Sequence, residues 1–358
     1  MEKLDNVKQI KKLDPQNVLA SMEALAPQIT QVWREFKTLK LPPALRQIDK
    51  IIINGMGGSG LGGHVIRSLY FETLRLPLEL VNGYAVPGSL DARALYIFSS
   101  YSGTTEEPLS TLAQAKKRRA KLFGIASGGT LGSWVKKGII PGYAFDPRFN
   151  PSNQPRMGLG YSLAAQLALF HRLGLIKVTD AEIRQALKSL QRCQRLFGVN
   201  NPAAKNPAKI LARQLNGRLP VVVAAEFLAG NAHVFANQIN ENAKTFAAYF
   251  LIPELNHHLL ESLSYPKTNR RNLAFVFFES AAYAAKNQTR FKITQKVMTK
   301  NRVAHYRYRL ASRGRLGQSL EMLLFGSYVS FYLAALNGIN PSLIPWVDYF
   351  KSELKRQA

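Results

Sequence analysis

The chain has 358 residues, 46% of them hydrophobic and 20% charged, with one cysteine, Cys193. That length accommodates two globular domains, and a lone cysteine excludes an internal disulfide and a thiolate metal site. Lysine and arginine total 48 against 22 acidic residues, a net charge of +26, but the basic residues are scattered, so attraction of small anions is a simpler expectation than nucleic-acid binding.

The opening MEKLDNVKQIKKLD lacks the apolar core of a secretion signal, and no apolar run is read as reaching the ~18 residues of a membrane span. A cytoplasmic protein without a membrane partner is expected. Asp14-Pro15 reads as a helix start, followed by Val18, Met22, Leu25, Ile29, Val32 and Phe36 at alternating spacings of four and three. This predicts one amphipathic helix within an N-terminal helical segment, residues 1–45. Short apolar runs follow at 51–53, 78–81, 95–98, 122–125 and 143–145, with helical patterns at 62–74, 105–119 and 131–137 between them and at 159–173 and 180–197 after them. Strands alternating with helices predict a parallel sheet, hence an α/β first domain over 46–197. GVNNPAAKNP, residues 198–207, reads as a linker. A second α/β domain over 208–358 is predicted from strands at 220–225, 246–251, 273–278 and 303–310. A helix over about 319–337, apolar on nearly every face, should lie deep between other elements.

Two loops carry the chemistry. INGMGGSGLGG, residues 53–63, places Gly55, Gly57 and Gly60 in a G-x-G-x-x-G pattern directly after a strand. A dinucleotide fold needs an acidic residue about 20 positions on, at the end of the second strand. Asn82-Gly83 stands there instead, so the fingerprint is incomplete; a ligand-free tight turn and a site for another phosphate-bearing molecule both stay open. The second loop, SSYSGTTEE at 99–107, presents Ser99, Ser100, Ser102, Thr104 and Thr105 before a helix start. Capping needs one hydroxyl; a surplus of hydroxyls and free backbone N–H groups at a helix start suits a phosphate dianion.

NGMGGSGLGG, SSYSGTTEE, ASGGTL (126–131) and NQPRMGLGYSL (153–163) together resemble the bifunctional phosphoglucose/phosphomannose isomerases. NQINENAKTF (237–246), PELNHH (253–258) and LNGINPSLIPWVDYFKSELK (336–355) extend the resemblance through the second half. It implies two SIS-type (sugar isomerase) domains, each a mainly parallel sheet flanked by helices, and a homodimer sharing active sites between subunits. It also implies a hexose 6-phosphate substrate and no cofactor. Carried over by motif, Gly57, Gly58 and Ser59 contact the substrate, and Ser100, Ser102 and Thr105 hold its phosphate. Arg156, Glu241, His257 and Lys351 take the catalytic positions, with His258 a rival to His257.

Moving a proton between C2 and C1 of an open-chain sugar calls for a positioned carboxylate, and Glu241 is the candidate base. A guanidinium, Arg156, suits the charge that develops on the enediolate. A histidine, with Lys351, suits ring opening. No metal spacing such as H-E-x-x-H occurs, so a metal-independent reaction is expected. Ile344 stands before Pro345 where the family places a threonine linked to use of both C2 epimers, which puts dual specificity in question. A sugar-phosphate-binding regulator without catalysis is the competing reading. It would carry a DNA-binding unit, of which the single helix predicted for residues 1–45 gives no sign.

Overall fold

The structure, a computed structural model, describes residues 3–357. Three helices open it, α1 (Val7–Lys12), α2 (Val18–Glu23) and α3 (Leu25–Thr38). The predicted stripe from Val18 to Phe36 is buried throughout, but the single predicted helix is two, broken at Ala24. Beside the break, the Ser21 carbonyl accepts from the buried Gln28 side chain, which also donates to the carbonyls of Phe149 and Met157. Helix α2 starts at Val18 behind Asn17, not at the predicted Asp14-Pro15, yet Asp14 still serves that helix end, its carboxylate accepting from the Val18 and Leu19 amides at 2.8 Å each.

The first sheet is wholly parallel in the order β2-β1-β3-β4-β5. Its strands are β1 (Lys50–Asn54), β2 (Leu78–Val81), β3 (Ala94–Ser99), β4 (Lys121–Ala126) and β5 (Gly142–Ala144). Helix α4 (Gly57–Leu69) starts inside the glycine run, five residues before the predicted start at 62. Gly57 takes φ +48° and makes the turn there. The helix predicted over 105–119 is split into α5 (Glu106–Ser110) and α6 (Leu112–Lys117). Pro108 brings no N–H donor, and the Thr111 hydroxyl turns back onto its carbonyl. Helices α7 (Gly129–Lys136), α8 (Leu159–Arg172) and α9 (Asp180–Phe197) complete this half.

Residues 198–207 run from α9 to α10 (Pro207–Leu215), pinned where the Asn206 amide donates to the Phe197 and Gly198 carbonyls. A second parallel sheet, β7-β6-β8-β9, follows: β6 (Leu219–Ala225), β7 (Ala248–Ile252), β8 (Leu273–Glu279) and β9 (Ala304–Arg309). Strand β7 begins two residues after the predicted start because the Asn240 side chain pairs with both backbone groups of Ala247. Its flanking helices are α11 (Ala229–Ala243), α12 (Leu255–His258), α13 (Asn269–Asn272), α14 (Ala285–Lys300), α15 (Gly314–Asn337) and α16 (Pro345–Gln357).

Contrary to expectation, α15 is long and apolar enough to cross a membrane by length and composition, but 89% of that apolar window is buried. It packs against α9, α10 and α11 and joins one hydrophobic core that reaches both sheets, from Ile51 and Leu95 to Phe275 and Phe325. In the first sheet, β1 and β3 are neighbours while the chain leaves β1 toward β2. Such a switch point opens a crevice at the strands' carboxyl ends, and both chemically marked loops emerge there.

Candidate active site

Only glycine fits the turn after β1. A Cβ on Gly55 would lie 2.7 Å from the Ser99 carbonyl oxygen, and one on Gly60 would lie 2.4 Å from that of Gly55. Gly58 faces the backbone of Arg156, which a Cβ would approach to 3.0 Å. Asn82, at the place where a dinucleotide site needs an acid, donates instead to the Gly55 carbonyl at 2.6 Å. That side chain serves the turn itself.

The second loop is stitched to the first through Ser59. Its hydroxyl accepts from the Tyr101 amide at 2.7 Å, and Ser99 Oγ donates to the Ser59 carbonyl at 2.7 Å. Ser100 is fully buried; its hydroxyl shares a 2.7 Å hydrogen bond with Thr105 and accepts from the Gly103 amide. Ser102 and Thr104 are exposed and 3.0 Å apart, and Thr105 is half-buried. The face open to a ligand is therefore Ser102, Thr104 and Thr105, with Ser59 and Ser100 behind it. The helix after this loop has only five residues, so the hydroxyls and loop amides bear more of any anion contact than a helix dipole does.

Helix α11 ends with Glu241, Asn242 and Ala243, and Lys244 closes it at φ +51°. Burial raises the Glu241 carboxyl above the ordinary carboxylate range, while Arg156, Lys244 and Lys351 draw it back down. Arg156 sits on the turn Pro155–Gly158. Its Nε donates to Asn242 Oδ1, Nη1 to Gln154 Oε1, and Nη2 to the carbonyls of Pro341 and Ser342, at 2.7–2.9 Å. Four of its five N–H donors are thus engaged by the protein, leaving one and the positive field for a ligand. Asn242 donates in turn to Ser330 on α15. Burial also lowers the Lys244 ammonium, to about 8.

Sequence reasoning left Asn242, Lys244, Gln154 and Asp348, whose charge acts on Arg156, without a role. Lys244 and Asn242 lay inside the N-E-N-A-K motif, so proximity to Glu241 was the available signal; the partners on 340–342 were not visible.

Within one chain, Arg156, Lys244 and Lys351 all act on Glu241, and Gly58 abuts Arg156. No hydrogen bond, ion pair or charge interaction among the described residues joins His257 to them. His257 stands exposed on the short α12 with His258, whose ring lies 5.9 Å from Phe250. Lys351 rides on α16, which buries none of its residues and exposes Trp346 (81%), Tyr349 and Phe350. A cavity of about 560 Å³ lies at the far end of α4 and at the start of α11, lined by His64, Arg67, His233 and Tyr249 among others. None of the residues assigned above lines it, so the chemistry, not the volume, locates the site.

The family described as "Bacterial phospho-glucose isomerase C-terminal SIS domain" matches residues 204–354. A bifunctional phosphoglucose/phosphomannose isomerase of Caldicellulosiruptor bescii is 32% identical over 341 residues, 93% of this chain and 98% of the relative. One from Aquifex aeolicus is 28% identical, covering 94% of this chain and 100% of the relative. The crystal structure of a hypothetical protein from Thermus thermophilus shares the fold with a TM-score of 0.72 at 14% identity, covering 99% of this chain and 93% of that one. With a relative of that identity matched along nearly its whole length, the chain belongs to the bifunctional phosphoglucose/phosphomannose isomerase family.

Proposed function

We propose that this protein interconverts glucose 6-phosphate, and mannose 6-phosphate, with fructose 6-phosphate, without a metal. The observation that carries the reading is a carboxylate, Glu241, held under burial among three cations, one of which, Arg156, abuts the glycine turn to which the hydroxyl loop is bonded. The phosphate sits on Ser102, Thr104 and Thr105, and this remote binding energy positions C1 and C2. Glu241 takes the proton from one carbon and returns it to the other. The remaining Arg156 N–H and its field offset charge on the enediolate oxygens.

Ring opening is assigned to His257 and Lys351 within a homodimer in which each His257 serves the other subunit's site. Two features support this: His257 has no link to Glu241 in its own chain, and α16 exposes an aromatic face.

In a coupled assay, fructose 6-phosphate conversion survives a chelator, and Glu241→Gln lowers kcat by about 10²–10⁴-fold while sugar-phosphate binding persists. Binding without turnover in the wild type would instead support a regulator. Ile344 offers no hydroxyl near C2, so kcat/KM for mannose 6-phosphate should fall below that for glucose 6-phosphate. Ile344→Thr should narrow the gap.

A further inference from the structure

The end of α11 is built around a residue whose backbone is out of place. Helices that end in the left-handed region favour glycine or asparagine there, yet Lys244 occupies it at φ +51°. A strained residue retained beside a reactive group points to its side chain as the reason. That side chain is fully employed. Lys244 Nζ donates to the carbonyls of Asn242 (3.2 Å), Asn340 (2.9 Å) and Pro341 (3.2 Å), one for each hydrogen of an ammonium. Arg156 Nη2 also holds the Pro341 and Ser342 carbonyls. Both cations therefore grip the same short junction between α15 and α16. Helix α16 buries none of its residues against the chain, so within one chain its placement depends on this junction.

We propose that Lys244 is a positioning residue that latches the root of α16, and so holds Lys351 in reach of Glu241. The proposal rests on reading Glu241 as the base, and its test separates the two. The groups facing the latch are Arg156 and Glu241, with Lys351 also facing Glu241 and Asp348 facing Arg156.

Lys244→Gly removes the latch while giving the backbone the residue its conformation favours, so a loss of activity cannot be put down to a damaged helix end. The variant should keep its thermal midpoint and its affinity for inorganic phosphate. It should lose about 10- to 100-fold in kcat, and amide exchange over residues 344–357 should quicken by about tenfold or more. The acid limb of kcat/KM should move up, because one of the cations lowering Glu241 is gone; Lys244→Arg, which keeps a cation, should leave that limb where the wild type has it. Unchanged exchange over 344–357 in Lys244→Gly overturns the latch, as does wild-type kcat with an unmoved acid limb. If the wild type turns over no hexose phosphate, the base reading fails while the exchange measurement still decides whether Lys244 holds α16.

Discussion

Glu241 is pulled two ways, and burial is the larger pull. A base must be ionised to act, so kcat/KM should rise with pH through an acid limb above the ordinary carboxylate range. Lys351→Met, removing one cation, should carry that limb higher still. The same imbalance bears on stability. A carboxyl raised on folding binds its proton more tightly in the folded state, so it favours folding at low pH and loses that advantage as pH rises through the raised value. Glu241→Gln should therefore be more stable than the wild type in denaturant titrations at neutral pH. The difference should disappear below the ordinary carboxylate range. This would be stability given up for function.

The two halves repeat one element, a strand–turn–helix at a switch point, and use it differently. Gly57 and Glu226 both stand just past the first strand of their sheets with φ +48°. In the first half that turn leaves the hydroxyl loop open. In the second, the Glu226 carboxylate accepts from the Ala284 amide and Asn287 Nδ2 at the start of α14, so the equivalent place holds the chain's own anion. Precision in the hydroxyl loop depends on Gly103, at φ +70°, where a Cβ would come within 1.8 Å of the Gly128 carbonyl oxygen. Gly103→Ala should cost about 1–3 kcal/mol of stability by chemical denaturation. It should also weaken phosphate binding, since Ser102 and Thr104 flank the displaced residue.

At the scale of the molecule, the two sheets share one core through α15, while α12 and α16 carry His257 and Lys351 on exposed surfaces. A shared site makes a sharp prediction. Co-expressing Glu241→Gln and His257→Ala chains, each inactive alone, should restore about a quarter of wild-type activity, because half of a random dimer population is hybrid and each hybrid has one intact site. A histidine acting within its own chain would leave the mixture inactive.

By itself the sequence determined the strands, most helices, the buried stripe from Val18 to Phe36 and the two loops, since each rests on a local period or on residue types crowded into a few positions. The breaks at Ala24 and Thr111 and the late start of β7 depended on tertiary or medium-range partners: Gln28 with Phe149 and Met157, Thr111 with Pro108 and Asn54, Asn240 with Ala247. The same holds at the site. A motif named Glu241 and Arg156, but which hydroxyls face outward, what occupies the guanidinium and what Lys244 grips were decided only when residues 154–156, 241–244 and 340–342 met in space. Hydrogen-bond partners so far apart along the chain leave no periodic trace in it.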